Sequence, residues 1–320
     1  MTYYDVFNGD ADGICALTQL RNAQPRESQL ITGVKRDIKL LTQVKAQAGD
    51  HVTVLDVSLD SNRDGLEKVL AAGADVFYCD HHFAGEIPES TRLKALINTA
   101  SDICTSLLIN KYLQGQFALW AIVGAFGDNL KKSAMSVAKS QDLTAAQLEQ
   151  LENLGIYINY NGYGAAIEDL HFPPAELFQL VSPFASPLDF ISEGKVHFDR
   201  LEQGYHADMG SAAETAAAYA DSSAAVFVLP DAPWARRVSG VYSNDLANSS
   251  PDRAHAVVTE KADGNYLISV RAPLNNKTGA DELCLQFPSG GGRAAAAGIN
   301  DLPADGLDDF ISRFAAHYAR

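Results

Sequence analysis

Thiols are scarce in this sequence. Its four cysteines, Cys15, Cys79, Cys104 and Cys284, stand far apart with no Cys-x-x-Cys pair, which argues against a zinc–thiolate cluster and against a disulfide framework. Cys79 and Cys284 lie within apolar runs and read as small hydrophobes. Long apolar stretches are also missing: none approaches the roughly 20 residues of a spanning helix, so no membrane association is expected. No basic stretch precedes an apolar one at the N-terminus, so no signal peptide is expected and the cytoplasm is the expected compartment. Positive charge is short as well, with 25 Lys and Arg against 40 Asp and Glu and a net of −15. That balance opposes long-range tracking along nucleic acid, whose affinity depends on phosphate neutralisation by Lys and Arg. A local basic lining is still compatible with an acidic total.

What the chain does have is polar residues where apolar runs end. The run Ala74 to Tyr78 gives way to Cys79-Asp80-His81-His82. Tyr3-Tyr4-Asp5-Val6-Phe7 breaks into Asn8-Gly9-Asp10-Ala11-Asp12-Gly13, and His51-Val52-Thr53-Val54-Leu55 breaks into Asp56. Ionisable side chains at the end of a buried strand need a partner, and for Asp and His the common ones are a divalent metal or each other. Taken alone, Asp80-His81-His82 reads as readily as a capped turn or a satisfied core histidine as it does as a functional site.

The intervening stretches Ile14 to Arg21, Ile38 to Ala48 and Asn62 to Ala72 carry apolar residues at three- and four-residue spacing and read as helices. Alternating strand and helix predicts right-handed βαβ units and a parallel sheet. All strands of such a sheet end on one edge, where ligands bind, so Asp10, Asp12, Asp56, Asp80, His81 and His82 are expected to converge. Asp128, in Gly124-Ala125-Phe126-Gly127-Asp128-Asn129 after the apolar run Phe117 to Val123, is the candidate for one more carboxylate. Acids crowded in this way repel unless cations neutralise them. Two divalent ions about 3.5–4 Å apart are the arrangement used for in-line displacement at phosphorus, and oxygen ligands with imidazole suit Mn or Mg.

These motifs, in this order, resemble those of the DHH phosphoesterase superfamily. Toward the C-terminus, Ser269-Val270-Arg271 and the run Gly290-Gly291-Gly292-Arg293-Ala294-Ala295-Ala296-Ala297-Gly298 are similar to the DHHA1 substrate-binding domain. The resemblance implies an α/β chain with a parallel-sheet DHH catalytic domain over 1–195, a connector helix over 196–224 and a smaller α/β DHHA1 domain over 225–320. It implies two divalent ions, Mn with Mg as the alternative, held by Asp10, Asp12, Asp56, His81 and Asp128, with Asp56 as the bridge. It places His82 beside the substrate phosphate as a catalytic group along with Asp56, has Asp80 and Asn8 supporting the ligands from behind, and assigns Arg271, Gly290, Gly291, Gly292 and Arg293 to substrate. Two motifs depart from the pattern. Val6 and Asn8 stand where other members carry an extra histidine or acid, which leaves the first metal site one charged ligand short, and Arg293 stands where the glycine motif ends in histidine.

The implied activity is a phosphodiesterase of nanoRNase or dinucleotide type, acting on short oligonucleotides or linear or cyclic dinucleotides, and also on pAp. A RecJ-like single-strand exonuclease and a noncatalytic nucleotide sensor are the alternatives. The expected partner is a short nucleotide, and a homodimer is one allowed assembly.

In the second half, Phe198 to Asp221 carries Leu201, Tyr205 and Met209 at helical spacing and reads as the connector. Strands are expected at Ala225 to Leu229, Ala254 to Glu260 and Tyr266 to Arg271, the last two joined by an Asp263-Gly264 hairpin. Helices are expected from about Asn244 and from Asp305, and Ala294 to Ala297 is expected to pack a helix behind the glycines.

Overall fold

Strands β1 (Tyr3–Phe7), β3 (His51–Leu55) and β4 (Asp75–Asp80) form where the alternation of the sequence places them, and the computed structural model describes residues 1–319. Each strand sends alternate side chains to opposite faces. Val6, Val54 and Tyr78 enter one apolar core with Leu40, Leu41, Leu66 and Val69. Phe7, Leu55 and Cys79 enter another with Ile14, Leu17 and Trp120. Burial on both faces is what a parallel sheet requires, and the sheet has the order β2-β1-β3-β4-β5 with every neighbouring pair parallel. Two of its strands, β2 (Gln29–Ile31) and β5 (Leu93–Ile97), were not expected from the sequence.

Helices α1 (Ala11–Ala23) and α2 (Arg63–Ala71) connect these strands. The expected helix over Ile38 to Ala48 is absent, and only a short 3-10 turn, Leu40–Gln43, forms there. Asn62 explains the difference: its side-chain oxygen accepts from the Leu41 amide at 3.1 Å, which offers that backbone an alternative to helical bonding. After β5 the unit is helical: α3 (Thr105–Tyr112), α4 (Ala118–Gly127), α5 (Lys131–Ala138), α6 (Ala145–Asn161), α7 (Pro174–Val181), α8 (Pro187–Glu193) and α9 (Lys195–Ala213). Pro174 and Pro187 open their helices at the first position, where the missing amide costs nothing.

The chain divides into two compact units, Met1–Tyr205 and His206–Arg320. The expected connector over 196–224 is therefore only in part a helix. α9 stops at Ala213 and is followed by β6 (Ala217–Ala220), which belongs to the sheet of the second unit.

That sheet continues with β7 (Ala224–Leu229), β8 (Ala254–Glu260), β9 (Tyr266–Arg271), β10 (Gly290–Arg293) and β11 (Ala296–Leu302) in the order β10-β11-β9-β8-β7-β6. Only the β7–β8 pair is parallel. Helix α10 (Pro233–Ser249) starts well before the expected Asn244, again on a proline at its first position. The short α11 (Ala280–Cys284) and the terminal α12 (Leu307–Tyr318) pack with the sheet around Phe310 and Phe314.

The glycine run is a strand, not a loop before a helix. Ala294 and Ala295 make the turn of a hairpin, and Ala296 opens β11. Close approach explains the composition. A Cβ on Gly290 would lie 1.7 Å from the Cys284 carbonyl oxygen, and one on Gly292, at φ 145°, would lie 2.4 Å from Ala297 Cα. No described helix is long and apolar enough to cross a membrane.

Candidate metal centre

Asp10 caps α1, and its Oδ1 accepts from the amides of Asp12 at 3.0 Å and Gly13 at 3.1 Å. Asp12 sits in the first turn of that helix and points at the start of another. Its Oδ2 accepts from the Thr105 amide and its Oδ1 from the Ser106 amide, each at 2.7 Å. A carboxylate at the N-terminus of α3 is thus fixed by two orphan donors and a favourable dipole.

Asp56 follows β3 in a left-handed conformation, φ 59°. Such a φ is uncommon for a residue with a Cβ, although Asp tolerates it better than most, and it turns the carboxylate so that Oδ1 accepts from Thr105 Oγ1 at 3.2 Å. Asp80 is the last residue of β4 and fully buried.

Asp128 arrives differently, from the C-terminus of a helix. It caps α4, Asn129 takes a left-handed φ of 61°, and the Asn129 and Leu130 amides donate back to Phe126 and Ala125 at 3.0 and 2.8 Å. This is a Schellman ending, which an Asn after the cap favours.

His81 sits among the acids. Its Nδ1 lies 3.1 Å from the Ile103 carbonyl oxygen; a carbonyl only accepts, so Nδ1 carries a proton and Nε2 is the ring atom left to face a metal. Around that Nε2 stand Asp56 Oδ1 at 3.4 Å, Asp128 Oδ2 at 3.8 Å and Asp12 Oδ2 at 3.9 Å. Ligands at about 2.1 Å from one octahedral ion sit about 3 Å apart when adjacent and about 4.2 Å apart when opposite, and Asp12, His81 and Asp128 offer ligand atoms that all lie within 4.8 Å of one another, with Asp56 Oδ1 beside the same Nε2. His82 shares a second grouping with Asp56 and His81. Its Nδ1 is 2.7 Å from Asp80 Oδ1, and its side chain is 45% exposed. The other Asp80 oxygen, Oδ2, is buried with no hydrogen-bond partner among the described residues.

The electrostatics follow from crowding. Burial and the charges of Asp12, Asp10, Asp80 and Asp128 push the Asp56 carboxyl well above its ordinary range. Burial, with Asp12 and Asp10, pushes Asp128 up to about 7. A protonated Asp56 then donates to Asp10. The hydrogen bond to Asp80 raises His82 above the usual imidazole range. A site whose acids hold protons until a cation replaces them fits a divalent ion with oxygen and imidazole ligands.

The structure therefore brings Asp12, Asp56, His81, His82, Asp80 and Asp128 together. Asp10 is adjacent but engaged elsewhere: Lys35 Nζ stands 2.7 Å from its Oδ2. Burial would keep Asp10 protonated, and Lys35 overcomes this and holds its carboxyl below the usual range. Asn8 touches the same pair, accepting from the Asp10 amide at 3.2 Å and donating to the Lys35 carbonyl at 3.4 Å. Sequence reasoning missed Lys35, the Thr105 and Ser106 amides and the Ile103 carbonyl. The signal for Lys35 was its place shortly after β2, a strand three residues long that no periodicity reveals.

In the second unit, Arg271 Nε donates to Asn244 at 2.8 Å, and its Nη1 donates to Ser269 Oγ at 3.0 Å. Arg293 pairs with Ala296, which pairs in turn with Arg271, so the two arginines project from one face of the sheet. All four cysteines are buried.

No family profile and no curated protein sequence matches the chain. Solved structures do. Exonuclease RecJ bound to manganese is 16% identical over 100% of this chain and 90% of its own, with a TM-score of 0.64. RecJ in complex with Mn2+ from Thermus thermophilus is 15% identical over 100% of this chain and 52% of its own, with a TM-score of 0.58. The pGpG-specific phosphodiesterase PggH from Vibrio cholerae is 13% identical over 99% of each chain, with a TM-score of 0.57. The chain has the fold of RecJ exonuclease and PggH, and that fold agrees with the DHH/DHHA1 resemblance of its motifs.

Proposed function

We propose that this chain is a metal-dependent phosphoesterase that cleaves short oligonucleotides or linear or cyclic dinucleotides. The observation that carries the reading is the His81 imidazole, its Nδ1 fixed by the Ile103 carbonyl and its Nε2 ringed by Asp12, Asp56 and Asp128 at 3.4–3.9 Å. Asp12, Asp56, His81 and Asp128 would hold the ion, with Mn the first choice and Mg the alternative. A divalent ion there would stabilise negative charge on phosphoryl oxygens.

The remaining work falls to side chains. His82 donates an Nδ1–H hydrogen bond to Asp80, and in its protonated form it carries a second proton on Nε2, from which it protonates the leaving oxygen. Asp80 fixes the ring and, through their hydrogen bond, raises the His82 pKa and so favours the protonated form. Thr105 and the α3 amides hold Asp56 and Asp12 so that the ligand set is formed in advance. Arg271 and Arg293, with the amides of the edge strand Gly290 to Gly292, are the proposed donors to a substrate phosphate.

The acidic total of the chain favours short substrates. Purified protein with Mn, given a panel of linear and cyclic dinucleotides, pAp and a long single strand, tests the reading through release of mononucleotides or phosphate. Dinucleotides are expected to turn over faster than the long strand. Faster loss of the long strand would favour the RecJ-like alternative, and binding without release across the panel would favour a sensor.

A further inference from the structure

Two ions are expected from the motif pattern, and the residues present fit one. Asp10, the carboxylate that would anchor the other, has both oxygens committed. Oδ1 accepts the amides of Asp12 and Gly13 at 3.0 and 3.1 Å, and Oδ2 faces the Lys35 ammonium at 2.7 Å. Asp10 belongs to neither grouping with ligand spacing, both of which centre on His81.

Lys35 is fixed at both its backbone and its side chain. The ammonium also donates to Asn159 Oδ1 at 2.8 Å and lies 5.5 Å from the Tyr163 ring centre. Its amide donates to the Gly162 carbonyl at 2.8 Å, and its carbonyl accepts from Asn8 Nδ2. The loop carrying it presses on the Asp10 turn so closely that a Cβ on Gly9 would lie 2.0 Å from the Gly33 oxygen. The two positions at which a further ligand would enter are closed to that role. Val6 is fully buried in an apolar core, and Asn8 carries no charge and holds the lysine.

We propose that the Lys35 ammonium stands permanently where a second divalent cation would bind beside Asp10, so that the centre holds one ion and one fixed lysine. An ammonium neutralises Asp10 and presents N–H donors where a metal would present empty coordination positions, and it does so without dissociating. This rests on the reading that Asp12, Asp56, His81 and Asp128 bind a divalent ion. The corollary is that a phosphate oxygen approaching Asp10 meets a hydrogen-bond donor, not a metal.

Manganese content after equilibration and desalting, together with the electron paramagnetic resonance of the bound Mn, tests this on the full chain. The wild type is expected to hold one Mn per chain with the resolved hyperfine pattern of an isolated ion. Lys35→Glu supplies the missing acid and removes the ammonium, and is expected to hold two ions with an exchange-coupled spectrum. Lys35→Arg keeps the charge and is expected to stay at one. Two ions in the wild type, or one ion in a folded Lys35→Glu variant, overturns the proposal while leaving the metal-centre reading intact. No bound Mn in the wild type overturns the metal-centre reading itself.

Discussion

Replacing Asp128 by Asn should stabilise the metal-free chain and flatten its pH dependence. In the folded metal-free chain the Asp128 carboxyl is held up at about 7 against an ordinary 3.8, by burial first and then by Asp12 and Asp10. A raised acid pKa means that the folded state binds a proton more tightly than the unfolded one. The cost is therefore absent below the unfolded pKa, grows as pH rises and is complete above the folded pKa. A gap of about three units corresponds to at most about 4 kcal/mol, an upper figure because the neighbouring acids share the repulsion. At about 2–4 °C per kcal/mol for a unit of this size, that is a loss of up to about 15 °C in melting temperature between pH 4 and pH 7.5. Asp56, raised for the same reasons, adds a slope of the same sign. Mn should reverse the trend, because its binding requires these carboxylates to lose their protons. Below pH 7 its affinity should fall about tenfold per pH unit for each proton displaced. Thermal melts from pH 4 to 8, with and without Mn, read both effects. A metal-free Asp128→Asn protein with the same pH slope as the wild type, or a Mn-induced shift that does not grow with pH, would refute the reasoning.

Asp56→Ala removes a ligand from the His81 grouping and should abolish turnover, measured as dinucleotide loss in Mn, while leaving the metal-free fold intact by circular dichroism. His82→Ala should lower kcat by about 10²–10⁴-fold, the usual contribution of a general acid, with bound Mn unchanged. Asp80→Asn removes the partner that raises His82; activity that depends on a protonated His82 should then be lost at lower pH than in the wild type, and an unmoved alkaline limb would count against that role. Asp5→Ala strands the buried Arg21, which bonds Asp5 from Nε at 2.7 Å, and urea unfolding should report a loss of about 3–5 kcal/mol.

Much of the centre was legible because its acids and imidazoles stand where apolar runs stop. Strands β8 and β9 were legible in full because alternation and an Asp-Gly turn leave little choice of register. Asp128 was found, but the element delivering it was not. Ala-Leu-Trp-Ala-Ile-Val-Gly-Ala-Phe-Gly is apolar all round, and such a run does not reveal whether it is a buried strand or a buried helix. Lys35 was invisible because its importance lies in a pairing across 25 positions of chain, delivered by a strand too short to show a period. Arg36, the neighbour with an equally good claim by residue type, takes no part in this pairing. The glycine run misled for a related reason: Gly290 and Gly292 answer to the carbonyl and backbone that press on them, which only tertiary contact supplies.

The buried thiols bear on which metals the centre can recruit. Cys15, Cys79 and Cys104 are each pushed upward by burial first and by Asp12 among the neighbouring acids. Negative charge this close keeps sulfur protonated, so a soft ion such as Cu(I) finds no thiolate to bind, and an oxidant finds no nucleophile to attack. The same acids that attract a hard cation thus silence the sulfur around it, and the centre selects its metal by the ligands it suppresses as well as by those it offers.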